Sequence, residues 1–126
     1  MIDRLDYLVL TVQNLEATIV FYTRALGMKE VTLGSGRKAL QFGQQKINLH
    51  TIKQPFEPKA SHPTSGSADL CFITTVSVGK VIEQWKTIGV KVVEGPVTRT
   101  GALGPILSVY CRDPDGNLIE IANDVR

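Results

Sequence analysis

Cysteine, histidine and tryptophan are scarce in this 126-residue chain, at two, two and one copies. Cys71 and Cys111 both fall in predicted strands and make no metal-type spacing. They are expected as reduced, buried thiols of a cytoplasmic protein. No apolar run approaches the roughly 18 residues that a membrane-spanning helix needs. Met1-Ile2-Asp3-Arg4 leads straight into a strand, without the charged-then-apolar pattern of a signal peptide. Nor is there an excess of charge of one sign. A net charge of +2, with scattered Lys and Arg, gives no basic stripe for nucleic acid.

What the chain does have is a restated plan. Asp6-Tyr7-Leu8-Val9-Leu10-Thr11-Val12 opens a strand that runs into a helix ending at Leu26-Gly27. Asp69-Leu70-Cys71-Phe72-Ile73-Thr74 opens another, whose helix ends at Ile88-Gly89. Tyr7 to Gly27 is 20 residues and Asp69 to Gly89 is 20 again, so the copies are offset by 62. A repeat that fills a chain implies a site built from matching positions of its halves. Copies of roughly 60 residues would be marginal alone, so a shared core or exchange with a partner is expected.

The order of elements follows from local signals. Asn14 is a plausible N-cap, Ile19, Tyr22 and Leu26 recur at helical spacing, and Gly27 stops the helix. Strands are expected over Met28 to Leu33, Arg37 to Gly43 and Lys46 to Ile52, with glycine-rich turns between them. Lys53 to Ser67, with three prolines, reads as a linker. The second copy repeats the order: a strand over Asp69 to Val76, then a helix capped by Ser77 with Val78, Val81, Trp85 and Ile88 inward. Strands near Lys91 to Glu94, Ile106 to Arg112 and Asn117 to Ala122 complete it, and Asp113-Pro114-Asp115-Gly116 turns into the last. The predicted domain is thus single, with module 1 at about 4–52, a linker at about 53–67 and module 2 at about 68–123. The fold class is α+β: two tandem βαβββ modules, curved sheets around a concave cavity, helices outside.

Strand parity then sorts the side chains. The helix-covered faces take Leu8, Leu10 and Val12; Ile47 and Leu49; Leu70 and Phe72; Ile119 and Ile121. The opposite faces receive Tyr7, Asn48, His50, Asp69 and Glu120. A solvated sheet face would give a similar pattern.

Leu5-Asp6-Tyr7-Leu8-Val9-Leu10-Thr11-Val12, Phe21-Tyr22-Thr23-Arg24-Ala25-Leu26-Gly27-Met28 and Asp113-Pro114-Asp115-Gly116-Asn117-Leu118-Ile119-Glu120, in tandem order, resemble the vicinal oxygen chelate superfamily. That superfamily includes glyoxalase I, extradiol dioxygenases, fosfomycin-resistance transferases and bleomycin-resistance proteins. Asn48-Leu49-His50, Phe56-Glu57-Pro58-Lys59-Ala60 and Arg99-Thr100-Gly101 look like a small glyoxalase-domain subgroup whose members often carry virulence-associated or dioxygenase-related labels. The resemblance implies metal ligands on the first and last strand of each module, hence at Tyr7, Asp69, Asn48 and Glu120. Pairing Asn48 with Glu120 makes that offset 72, so about ten extra residues are expected in the second copy, with Thr98 to Pro105 as the place for them.

The chain departs from that pattern where family members have histidine, at Tyr7 and often at Asp69. A phenol binds a divalent ion poorly until it loses a proton held to about pH 10. Asp69 and Glu120 are sound oxygen ligands, and His50 is the better nitrogen donor beside Asn48. The implied set is His50, Asp69 and Glu120 around Ni, Mn, Fe, Co or Zn, with Glu120 also the candidate catalytic base. Tyr7, Asn48 and Arg99 are candidates for contact with a small substrate bearing adjacent oxygens. The implied activity is a glyoxalase-I-like lyase or isomerase. With only one such histidine, an extradiol dioxygenase is less favoured. The alternative is a non-catalytic binder like the bleomycin-resistance proteins. Arg99, with Thr98, Thr100, Gly101 and Gly104, is expected in a small-residue loop that could take an anion on its backbone N–H groups, and Phe56, Trp85 and Tyr22 are expected as packing residues. A homodimer is expected, because each short sheet needs another to cover its open face.

Overall fold

The computed structural model describes residues 1–125. They form two compact units, residues 1–67 and 68–125. In the first, β1 (Tyr7–Val12) leads into α1 (Leu15–Leu26), followed by β2 (Lys29–Thr32), β3 (Lys38–Phe42) and β4 (Gln45–Thr51). The second contains β5 (Asp69–Ile73), α2 (Val78–Thr87), β6 (Glu94–Thr100), β7 (Pro105–Arg112) and β8 (Leu118–Asp124). Each unit holds one open four-stranded sheet, ordered β1-β4-β3-β2 and β5-β8-β7-β6. In each, the first strand pairs in parallel with the last, and the remaining pairs are antiparallel.

Helix ends follow the sequence signals. Asn14 accepts from the Ala17 amide, and Gly27 adopts φ 69° while its N–H reaches the Tyr22 carbonyl. Ser77 caps α2 through the Lys80 amide, and Asn123 of β8 adds a second tie by accepting from the Val78 N–H. Each helix covers one face of its own sheet. Beneath α1 lie Leu10, Val12, Leu40, Ile47 and Leu49, with Tyr22 fully enclosed. Beneath α2 lie Val109, Cys111, Ile119 and Ile121, with Val81 and fully enclosed Trp85. Burying each large apolar side chain contributes about 1.5–3 kcal/mol, so these faces supply most of each unit's hydrophobic stabilisation.

The registers support the two offsets. Tyr7 pairs with Lys46 and Val9 with Asn48; 62 residues on, Asp69 pairs with Leu118 and Cys71 with Glu120. The last-strand partners are therefore 72 apart. The extra residues are not gathered in one loop at Thr98 to Pro105. They are spread over a longer approach to β6, longer β6 and β7 strands, and the longer turn before β8. β6 correspondingly occupies Glu94–Thr100, not Lys91 to Glu94, and β5 stops at Ile73. Residues 53–67 belong to the first unit, where Gln13 Nε2 donates to Ser65 Oγ.

One irregularity shapes the second sheet. Glu94 pairs with Tyr110, but Val97 pairs with Ser108, so β6 carries one extra residue between them. Such a bulge re-aims side chains along the strand. Gly95 sits there at φ 114°, and a Cβ on it would lie 2.5 Å from the Ser108 carbonyl oxygen. Only glycine allows β6 to approach β7 so closely.

Candidate functional site

The open face of the second sheet carries a row of polar side chains. Cys71 of β5 is the cross-strand partner of Glu120 on β8, Glu120 is the partner of Tyr110 on β7, and Tyr110 is the partner of Glu94 on β6. Residues in register share a face, so these four side chains run straight across the sheet. The bulge matters here. Glu94 and Arg99 are five apart and would face opposite ways on a regular strand, but the extra residue returns Arg99 to the face of Glu94.

Glu120 is the hub of this row. Ser108 Oγ donates to its Oε2 at 2.6 Å, and Cys71 and Tyr110 flank it in register. On the far side of Tyr110, Arg99 Nε donates to the phenol oxygen at 3.0 Å and Nη2 to Glu94 Oε2 at 2.6 Å. Arg99 Nη1 donates to the Thr98 carbonyl at 3.3 Å. Burial, and then the charge of Glu120, push the Cys71 thiol up to about 11. Although Cys71 as a residue is exposed, its thiol lies against that carboxylate. The expectation of two buried cysteines thus holds for Cys111 alone, which burial pushes up to about 12. Burial also raises the Tyr110 phenol, with the Glu120 carboxylate adding to that shift and the Arg99 hydrogen bond opposing it.

A cleft of about 450 Å³ opens beside this row. Glu120, Asp124, Cys71, Arg99 and Thr100 supply its polar part, and Ile73, Leu103 and Ile106 its apolar wall. Arg99 is not in a loop. It stands on β6, and the hairpin that follows is confined to residues 101–104. Asp69, two residues before Cys71, is exposed on the same face.

In the first sheet, register puts Tyr7, Thr11, Asn48 and His50 on one face. Tyr7 is half exposed, with the Lys46 ammonium 5.1 Å from its ring centre. His50 is buried, and its ring meets Phe56 edge to face at 5.4 Å. The Arg37 guanidinium covers the same Phe56 ring at 4.0 Å. Burial, then the charge of Arg37, lower the His50 pKa and favour the neutral imidazole that a metal ligand requires. Phe56 is therefore a bracket for His50 and Arg37, whereas Tyr22 and Trp85 are packing residues as expected. Asn48 Oδ1 is buried without a hydrogen-bond partner among the described residues.

In kind, one neutral imidazole and two carboxylates suit a first-row divalent ion. In number they fall short, because no three His, Cys, Asp or Glu side chains gather as a metal site among the described residues. Parity placed Tyr7, Asn48, His50, Asp69 and Glu120 on the open faces. It missed Cys71, Glu94, Ser108 and Tyr110, although Ser108 and Tyr110 alternate on the strand beside Glu120.

The Glyoxalase/Bleomycin resistance protein/Dioxygenase superfamily model matches residues 4–121. The chain belongs to this superfamily. It is 58% identical to virulence protein STM3117 of Salmonella typhimurium over 98% of this chain and 86% of that protein. The crystal structure of STM3117 superposes with a TM-score of 0.97, covering 99% of each chain. A glyoxalase domain-containing protein of Mycosarcoma maydis, RDO1, is 56% identical over 94% of this chain and 67% of that one. Two more distant structures share the fold: lactoylglutathione lyase of Agrobacterium tumefaciens (22% identity, TM-score 0.72, covering 95% and 92%) and the fosfomycin resistance protein FosX of Listeria monocytogenes, complexed with Mn(II) and sulfate (21%, 0.69, 99% and 93%). Among the described residues no helix is long and apolar enough to cross a membrane.

Proposed function

We propose that this superfamily member is a glyoxalase-I-like lyase or isomerase acting on a small substrate with adjacent oxygens. The observation that carries the reading is Glu120. It is a last-strand carboxylate that accepts from Ser108 Oγ at the edge of a cleft. Such a donor holds a carboxylate in one orientation, which a base or a ligand both need. Glu120 would take the proton from the carbon beside a carbonyl and return it to the neighbouring carbon. Ile73, Leu103 and Ile106 would give the substrate body an apolar surface beside that transfer.

Asp69, Glu120 and His50 are the side chains that would hold a divalent ion, which would supply Lewis-acid polarisation of the two substrate oxygens. On this reading the protein would act as a homodimer, with His50 of one copy completing the set that Asp69 and Glu120 of the other begin. A second reading, a ligand-binding protein like the bleomycin-resistance proteins, is favoured by Tyr7 in the place of a histidine.

Titration calorimetry with Ni, Mn and Zn, beside sedimentation at micromolar concentration, tests the reading. A dimer that binds one divalent ion per site, and loses it in Glu120→Gln with little change in melting temperature, is the expected result. A monomer, or metal content equal in parent and variant, would overturn the metal-dependent assignment and leave the binding reading.

A further inference from the structure

Two guanidinium groups border cavities, and they are in opposite states. Arg99 is occupied: Nη2 donates to Glu94, which also balances its charge, Nε donates to Tyr110 and Nη1 to the Thr98 carbonyl. Arg37, in the first unit, donates from Nε to Ser35 Oγ at 2.8 Å and lies 4.0 Å over the Phe56 ring. Among the described residues it has no carboxylate partner, and its two Nη groups make no hydrogen bond.

Arg37 is nevertheless held in place. The Leu33 N–H donates to its carbonyl at 2.7 Å and the Gly36 N–H to the Leu33 carbonyl at 2.8 Å, so the turn between β2 and β3 fixes its backbone. Ser35 Oγ and the Phe56 ring then hold the guanidinium at two points. Little ordering of this side chain remains to be done when a ligand arrives.

A cavity of about 200 Å³ opens beside it. Leu15 of α1, Leu49 of β4 and Phe56 form its apolar part. Lys38 also lines it, but that ammonium is paired with Glu30 at 3.1 Å and donates to Thr32 Oγ1 at 2.7 Å. The charge left uncompensated there is the single positive charge of Arg37.

We infer that the first unit carries a second ligand site, a seat for a small monocarboxylate. Its carboxylate pairs with Arg37, and its short apolar body lies against Leu15, Leu49 and Phe56. Shape and charge decide the class. A planar guanidinium with both Nη groups free matches a carboxylate through two parallel hydrogen bonds. One free positive charge answers one negative charge, whereas a phosphate dianion would bring a second charge toward Lys38, which Glu30 already neutralises. The site shares no lining residue with the Glu120 cleft, so it stands whether or not Glu120 is a base.

Butanoate is the probe, titrated into nitrogen-15-labelled protein at physiological salt. The amide signals of Gly36, Arg37 and Gln54 should move and saturate in the millimolar range, while those of residues 99–106 stay in place. Arg37→Gln should weaken binding by roughly tenfold or more, as loss of charged hydrogen bonds does. Arg37→Lys should weaken it severalfold, because an ammonium keeps the charge and loses the fork. Inorganic phosphate should bind more weakly than butanoate. Thermal unfolding checks that each variant is folded, and if Arg37→Gln is not, Arg37→Lys decides alone. Shifts that never saturate, shifts centred on residues 99–106, or an affinity unchanged in the folded Arg37 variants would overturn the site. Phosphate binding as tightly as butanoate would overturn the monocarboxylate assignment.

Discussion

Asn48 and Glu120 occupy the same place in the two sheets and have opposite surroundings. Asn48 is flanked in register by Val9 and Ala39, neither of which has a side-chain donor, and its Oδ1 is buried unpaired. Glu120 is flanked in register by Cys71 and Tyr110, and Ser108 Oγ on β7 donates to it. The duplicated fold thus presents one supported carboxylate and one unsupported amide.

The unpaired Asn48 oxygen should carry a cost. A buried acceptor without a donor forfeits about 1–3 kcal/mol, and an apolar replacement of similar size removes the penalty. Asn48→Leu should therefore raise unfolding free energy by about 1 kcal/mol in urea titrations of ligand-free protein. A loss of stability of that size would mean that Asn48 is satisfied in solution.

Gly95 is the most exacting backbone position of the second sheet. At φ 114°, a Cβ would meet the Ser108 oxygen at 2.5 Å and Val109 Cα at 2.9 Å. Gly95→Ala should cost about 3 kcal/mol or more by thermal unfolding. Gly36 also has positive φ but open space around it, so Gly36→Ala should cost only about 1–2 kcal/mol. Equal losses would show that φ alone, and not the approach of β6 to β7, is what demands glycine at 95.

The bulge at Gly95 also marks where sequence reading stopped. Hydrophobic alternation is read with a period of two, and it carried β1, β4, β5 and β8 with the faces of Tyr7, Asn48, His50, Asp69 and Glu120. At β6 an extra residue breaks that period. Glu94 and Arg99 therefore appeared unrelated, Arg99 was read as a loop residue, and the strand was placed too early. Cys71 was missed for a different reason: thiols in strands are usually core, and only pairing with Glu120 reveals that this one faces the cleft. Residues 53–67 looked like a linker by composition, and nothing local announces that Phe56 would bracket His50.

Glu120 should also control the reactivity of Cys71. Burial first, and the Glu120 charge second, hold that thiol at about 11, so at pH 8 only about one thiol in a thousand is ionised. Alkylation by iodoacetamide should be slow in the parent. It should accelerate severalfold in Glu120→Gln, which removes the charge but leaves the burial. Identical rates would mean that the carboxylate does not face Cys71. Cys111, buried under α2, should stay unreactive in both proteins unless they are unfolded.

Acid should act through His50. Its folded-state pKa lies below the ordinary 6.5, because burial and then Arg37 disfavour the charged ring. Between the lowered value and 6.5 the unfolded chain binds more protons than the folded one, so stability increases with pH across that window and is complete above it. Unfolding free energy should therefore rise from pH 5 to pH 7, and His50→Gln should remove that part of the slope. A slope unchanged in His50→Gln would assign the acid sensitivity to other groups.

Tyr7 is where the chain departs most clearly from the pattern it resembles, and restoring histidine there is the sharpest test of the metal-dependent reading. Tyr7 is the first-strand equivalent of Asp69, since each pairs with the corresponding residue of its last strand. It is half exposed, with only Lys46 above its ring, so an imidazole fits without repacking a core. A phenol must lose a proton held to about pH 10 before it can bind a divalent ion strongly, whereas a neutral imidazole is ready at pH 7. If one further good ligand contributes about 1.4 kcal/mol, Tyr7→His should tighten Ni, Mn or Zn binding about tenfold. It should also raise any isomerase activity that depends on the ion. The removal of Lys46 by Lys46→Gln should add to the gain, because an ammonium beside the site repels the incoming cation. Calorimetric titration of the parent and both variants reads each step separately. Affinity unchanged in Tyr7→His would mean that the first strand does not face a metal, and ligand binding without chemistry would become the better account of this cleft.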